Sequence, residues 1–342
     1  MGFPNTNNLP AVNQYDVNRS IISPIFLGQD YMQYMNVLPN IKGTTKIDHF
    51  GSLTKITKGF NEGAFSGETA GTFSAVTVSP ARMEAEIEFY ANSLFGKMKG
   101  QLMRDNFDFD NIDGTIVKNV LLDLISQGIK ADFNRQIWLG DASLTTGGDY
   151  LDYNEYDGIF QVLKDGLAAA QKLDNSNITG VGNDEGLDAA ADAVNILTAM
   201  YEAATPELLE AGNHVFFVSG DIADKYMAYL EGTGYAAAGH GVLVNGVPSL
   251  SWRGIPIVVR RDWDTYLAAD TAILSGASDA AETHRAVLTT QDAIIVGTDF
   301  DETSVEQWYS QDNKSYRFRV SYMVGVALAD AKLAVAYSAD SL

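Results

Sequence analysis

Hydrophobic and polar positions change period several times along the chain, and each change marks an element. In residues 82–89, Met83, Ala85, Ile87 and Phe89 alternate with Arg82, Glu84, Glu86 and Glu88. A period of two describes a strand buried on one face. Residues 316–326 repeat the pattern, with Tyr316, Phe318, Val320, Tyr322, Val324 and Val326 on one face and Arg317, Arg319 and Ser321 on the other. Between the two the period lengthens. Ile116, Val117, Val120, Leu121, Leu124, Ile125, Ile129, Phe133 and Ile137 recur at helical spacing, which predicts a helix over about 114–139 with Asp113 as N-cap and an end near Gly140. Unbroken, it would be roughly 40 Å long at about 1.5 Å per residue. Gly128 falls inside it, at a cost of about 1 kcal/mol relative to alanine.

The two alternating strands each have one apolar and one polar face. As neighbours in one sheet, their apolar faces would cover the long helix. Their polar faces would then set Glu84, Glu86 and Glu88 beside Arg317 and Arg319, relieving a glutamate row that otherwise repels itself. The expectation is that Arg317 or Arg319 lies within salt-bridge reach of one of these glutamates. The alternative is that both rows face solvent or a neighbouring molecule.

The rest of the chain reads as follows. Residues 1–40 are rich in Asn and Pro, lack a helical period and suggest an extended arm. Residues 44–92 suggest β-structure around a Gly-rich tip, EGAFSGETAGTF. An acidic loop at 141–158 precedes a helix predicted over 157–173, with Ile159, Phe160, Leu163 and Leu167 on one face, and then a polar stretch at 174–187. Helices and strands alternate next. A helix covers 188–204, and a short one has Thr205 as cap, Pro206 in its first turn and Gly212 after its end. His214–Val218 reads as a buried strand, and Ser219 as cap of a helix ending near Gly232. Further strands are expected at Ile255–Val259, Ala293–Val296, 316–326 and Lys332–Tyr337.

Length and composition bound the function. The 342 residues, 46% hydrophobic, suffice for one large domain or two closely packed ones. The absence of cysteine excludes disulfides, thiolate ligands and cysteine nucleophiles. No leader pattern or long apolar span is evident, so the chain is expected in a cytoplasm, away from membranes. A net charge of −21 argues against nucleic-acid binding through the bulk field. The charge is uneven. Residues 262–306 hold ten acids against Arg285, whereas Lys42, Lys46, Lys55 and Lys58 face only Asp48 within 42–58. Opposite patches on one chain suit head-to-tail self-association.

No catalytic, cofactor-binding or metal-ligating residue is assigned. His49, His214, His240 and His284 are scattered and form no HExxH pair. A GxSxG elbow and a phosphate-binding GxxxxGK[ST] loop are both missing. Residues 105–114, DNFDFDNIDG, lack the sixth-position glycine and twelfth-position glutamate of a calcium loop, and read as a turn feeding a helix cap.

The order of elements carries a resemblance: arm, long hairpin, one long helix ending in Leu139-Gly140-Asp141, an α/β region, then returning strands. With ADFNRQIWLGD at Ala131–Asp141, YDG at Tyr156–Gly158, HVFFVSG and WRGIPIVV, the chain resembles the Hong Kong 97-type major capsid proteins of tailed bacteriophages. The resemblance implies an α+β capsid fold. The N-terminal arm would be 1–40 and the extended β-hairpin loop 41–88. A peripheral domain with a spine helix would take 89–154 and 261–326, and an α/β axial domain 155–260 and 327–342. It also implies a non-enzymatic shell subunit that forms pentamers and hexamers around double-stranded DNA, in a virion assembled in the host cytoplasm. Portal, a separate scaffolding protein and a decoration protein would be its partners; no long charged helical scaffolding segment is present, so scaffolding would come from the separate protein, or the segment was removed or is unnecessary. Lys42, Lys46, Lys55, Lys58, Glu62, Phe65 and Glu68 are the candidate inter-subunit contacts. Some relatives cross-link a loop lysine to an asparagine, and Lys55 and Lys58 fall in the matching loop, although a solvated or salt-bridging lysine is the plainer reading. Rival readings are an encapsulin-like compartment for cargo protein, a soluble α/β enzyme, and a tail or surface-layer protein.

Overall fold

In the computed structural model, the described residues are 31–50, 73–90, 116–145, 150–181, 187, 189–233, 242–244, 247–269 and 284–339. Asp113, the stretch 105–114 and the Gly-rich tip lie outside them, save for Phe73 of the tip.

The alternating stretches form two long strands, numbered here in chain order with the rest: β4 (Ala81–Tyr90) and β13 (Ser315–Leu328). They pair antiparallel, and β13 also pairs antiparallel with β12 (Ile294–Ser310). β1 (Asn36–Leu38) runs parallel to the start of β12, giving the sheet order β1-β12-β13-β4. The helical period forms α1 (Ile116–Leu139), which lies on the inner face of this sheet. Leu121, Ile125, Ile129 and Phe133 share one buried cluster with Tyr316, Phe318, Val320, Tyr322 and Val324. Burial of these apolar faces, at about 25 cal/mol per Å², holds the layer together.

A second sheet has six strands. β6 (Val215–Ser219) is flanked by β10 (Ile255–Arg260), parallel, and β11 (Arg285–Thr289), antiparallel. β14 (Ala334–Ser338) and β5 (Lys172–Leu173) extend one edge, and β9 (Ser251–Trp252) the other. Both faces are covered, so its central strands are buried throughout. Phe217, Val287 and Ala336 join the cluster with α1 and α2 (Ile159–Gly166). Phe216, Val218, Leu288 and Tyr337 join another with α3 (Ala190–Ala203) and α5 (Gly220–Thr233). Trp138 sits where the layers meet, its ring centre 4.7 Å from Trp263 and 5.3 Å from Phe217. Two ladders stand apart: β2 (Thr45–Phe50) with β3 (Phe73–Val78), and β7 (Val242–Val244) with β8 (Val247–Ser249).

Local chemistry explains several boundaries. Thr205 caps α4 (Pro206–Glu210), its Oγ1 accepting from Leu208 N at 3.2 Å. Gly212 beyond it has φ 73°, a left-handed position that glycine takes without steric penalty. Asp192 Oδ2 accepts from Ala189 N at 2.7 Å and opens α3.

Other boundaries differ from the sequence expectation. The helix expected over 157–173 stops at Gly166, and Leu167 is extended. Leu328 Cδ2 lies 2.7 Å from where a Gly166 Cβ would stand, so the end of β13 crosses there and the chain turns away. Ser219 lies in β6 and does not cap α5. The cap comes from α6 (Arg261–Ala269), whose Asp264 Oδ2 accepts from Gly220 N at 2.7 Å. Residues 31–35, assigned to the arm, belong to the body. Tyr31 is fully buried, its hydroxyl donates to Asn134 Oδ1 at 2.6 Å, and Arg260 stacks on its ring. Residues 285–289, assigned to the peripheral region, form β11 in the six-stranded sheet, because an apolar run between β6 and β14 completes that sheet's core.

Candidate assembly surface

Cross-strand partners share a face, so the register assigns the outer side of the four-stranded sheet. Its rows include Ile295 with Ala327, Gly297 with Gly325, Glu306 with Arg319 and Glu86, and Trp308 with Arg317 and Glu88. The irregularity between Asp299 and Ser304 divides this face into two halves.

The lower half is covered. β1 and β4 lie at opposite edges of the sheet, and the chain between them crosses the outer face as the root of the β2–β3 hairpin. Ile41 and Val78 close a small apolar cluster over Ile295 and Ala327, and Leu38, Ile47 and Val76 pack around it. Beyond this root the hairpin has little support. Thr45, Lys46, Asp48, Ala75 and Thr77 are exposed, and Ile47 and Val76 are half-buried. A two-stranded ladder alone is marginally stable in water.

The upper half is open and charged. Arg317 Nε lies 2.9 Å from Glu88 Oε1, and Ser315 Oγ donates to the same oxygen at 2.6 Å. The Ser315 hydroxyl and the Arg317 guanidinium hold the Glu88 carboxyl below its usual range. Arg319 Nε lies 2.6 Å from Glu84 Oε1, its guanidinium also reaches Glu86 and Glu306, and it lies over the Trp308 ring at 5.6 Å. The structure therefore brings Glu84, Glu86, Glu88, Arg317 and Arg319 together. Sequence reading missed Ser315, Glu306 and Trp308 as members. The tyrosine at 316 and the arginine at 319 set the parity of β13, but the pairing of β12 could not be read from its acid-rich middle. The outer edge of β4 has no ladder partner among the described residues, and Tyr90 at its end is 57% exposed.

Of the candidate inter-subunit contacts, Lys42 and Lys46 are exposed at the hairpin root. Lys55, Lys58, Glu62, Phe65 and Glu68 lie outside the described residues. A groove of about 430 Å³ opens between the root and α2, lined by Val76, Thr77, Tyr156, Asp157, Asp165 and Leu328 among others. Among the described residues no cluster of three side chains is arranged to hold a metal, and no helix is long and apolar enough to cross a membrane.

One charged junction lies elsewhere, between α5 and α6. Burial, with the Asp221 charge added, pushes the Asp264 carboxyl up to about 6, against the N–H groups of Gly220 and Asp221 and the Arg261 charge. Arg261 pairs with Asp224 at 2.6 Å, and His284 Nδ1 lies 3.4 Å from Asp221.

No family model and no curated protein matches the chain. Solved structures do match. A chain of the satellite phage P4 procapsid including size determination (Sid) protein is 10% identical at a TM-score of 0.55, with 95% of this chain and 99% of that chain covered. A chain from Gordonia phage Cozz is 14% identical at a TM-score of 0.52, covering 91% and 86%. The capsid of the native GTA particle gives 13% identity and a TM-score of 0.52, covering 90% and 89%. At such identities the likeness shows the fold, a mixed α+β fold shared with phage capsid structures.

Proposed function

We propose that this chain is a major capsid protein of a tailed bacteriophage, of the Hong Kong 97 type, which self-assembles into an icosahedral shell around double-stranded DNA. The observation that carries the reading is the hairpin, fastened at its root on one face and exposed along Lys46, Asp48, Ala75 and Thr77 on the other, together with an open charged sheet face on a capsid-like fold. A subunit that must bury surface against its own copies needs projecting elements and broad complementary faces. In this reading the four-stranded sheet with α1 is the peripheral domain and the six-stranded sheet the axial domain. Lys42, Lys46, Lys55 and Lys58, with Glu62, Phe65 and Glu68, contact the neighbouring subunit. The net charge of −21 keeps packaged DNA from adhering, since like charges repel within about 10 Å at moderate salt. Portal and scaffolding proteins are its expected partners in the host cytoplasm.

Negative-stain microscopy and sedimentation of the overexpressed protein, with and without a scaffold, test the proposal. Pentamers, hexamers or closed shells are the expected result. A monomer at every concentration and ionic strength overturns it. Particles holding a cargo protein and no DNA would shift the reading to an encapsulin-like compartment.

A further inference from the structure

We propose that the opposed glycines Gly297 and Gly325 form a seat that sets the angle at which the β2–β3 hairpin leaves the body and, if the proposed function holds, thereby the curvature of the shell. The two glycines are direct cross-strand partners in β12 and β13, in the interior of long strands. Glycine weakens a strand interior, and two facing each other need a reason. Backbone conformation is not that reason, since neither is among the glycines with positive φ. Space is. A Cβ on Gly325 would stand 2.9 Å from Pro80 Cα and 2.9 Å from Ser79 O. A Cβ on Gly297 would stand 2.8 Å from Val78 Cγ1 and 2.9 Å from Ile41 Cδ1. The crossing chain thus approaches the sheet at this row too closely to admit a Cβ.

The two contacts differ in kind. At Gly325 backbone meets backbone, and Pro80 has its φ locked by its ring, so nothing there yields cheaply. At Gly297 the sheet meets the ends of side chains, which can give. Around the seat the root is fastened: Ile41 N donates to Thr298 O at 3.2 Å, and Ser79 Oγ lies 3.4 Å from Thr44 Oγ1, joining the two legs. Gly325 is therefore a rigid stop and Gly297 a compliant one. A lift of about 1 Å on a base one strand spacing wide, about 5 Å, would swing the far end of a leg about 20 Å long by about 4 Å. A small change at the seat becomes a large one where the hairpin meets a neighbour.

The chain has no cysteine, so spin labels on Asp48→Cys, partway out along the hairpin, and Lys164→Cys, both exposed positions, report the distance between hairpin and body without background. In the free full-length subunit, Gly325→Ala is expected to shift that distance by about 2 Å, because Asp48 lies about 10 Å along the leg of the lever estimated above. Gly297→Ala is expected to shift it less, and Gly297→Ala/Val78→Ala/Ile41→Val to restore it by removing both opposing methyls. Gly128→Ala, where nothing lies within 4 Å of the added Cβ, should leave it unchanged. A folded Gly325→Ala subunit with an unaltered distance overturns the seat. If Gly325→Ala does not fold, a Gly297→Ala shift that the two compensating substitutions fail to reverse does the same. At the level of particles, Gly325→Ala is expected to change shell diameter or yield open, irregular assemblies. A shifted distance with unaltered particles removes the link to curvature. A wild-type protein that forms no particles counts against the proposed function and leaves the seat standing.

Discussion

The two halves of one sheet face follow opposite rules. On the lower half, Ile295, Gly297, Gly325 and Ala327 are small or apolar, and the chain's own hairpin root lies on them. On the upper half, Glu84, Glu86, Glu88 and Glu306 surround Arg317 and Arg319, and the face stays open. Both halves share β12 and β13 and the same core beneath, and β4 joins them on the upper half. The difference teaches that outward-facing side chains alone decide where a subunit closes on itself and where it remains available. Apolar, small positions accept a strap. Alternating charges satisfy one another in the plane of the sheet and leave no reason for the chain to cover them.

The comparison can be broken from either side. The largest effect is expected on the covered half. Ile41→Ala empties part of the cluster under the hairpin and should cost about 2–4 kcal/mol. Hydrogen exchange should show lost protection in β2 and β3 while α1 stays protected. Arg319→Glu inverts the centre of the open half. It should lower the melting temperature by a few degrees while leaving exchange in β2 and β3 unaltered, and sedimentation should show impaired self-association.

Acid gives a milder test, with the sign set by Glu88. Its carboxyl titrates below the usual range in the folded chain, so its contribution is present above the ordinary carboxylate value and lost as pH falls through the depressed one. Below about pH 4 the β4–β13 edge should lose protection relative to the intrinsic exchange rate, while protection of the apolar half is unchanged. Asp264 runs in the opposite sense. Its value is raised to about 6, so its stabilisation is full below the ordinary value and lost as pH rises through 6. Asp264→Asn, which keeps an oxygen for Gly220 N, should therefore raise the melting temperature at pH 7.5 and leave it unchanged near pH 3. The smallest expected effect is the control: Gly128→Ala should add at most about 1 kcal/mol, without altering either half.

Much of this division was legible in the order of residues. One-face alternation at 82–89 and 316–326, with a glutamate row opposite an arginine row, implied neighbouring strands. The long helix followed from a single unbroken period. β12 was read only over 293–296, because Asp299, Asp301, Glu302 and Glu306 replace the apolar alternation that marks a strand. Features made by distant partners left no local signal. The Asp264 cap of α5 lies 44 residues from Gly220, and the facing of Gly297 and Gly325 emerges only from the register of β12 against β13. The anchoring of Tyr31 was hidden by the Asn- and Pro-rich composition that precedes it.

The four tryptophans divide along the same line, with an optical consequence. Trp138 and Trp263 are fully buried and Trp252 is 6% exposed, whereas Trp308 lies half-buried under Arg319 on the open face. Emission from the first three reports on the folded core and is shielded from a dissolved quencher. Trp308 alone meets the quencher, and the glutamates around Arg319 favour a neutral one such as acrylamide over iodide. Replacing Trp308 by Phe would separate the two signals. When the open face is covered, the quenchable fraction should vanish and the emission shift to the blue, so Trp308 is a built-in optical reporter of whatever covers that face.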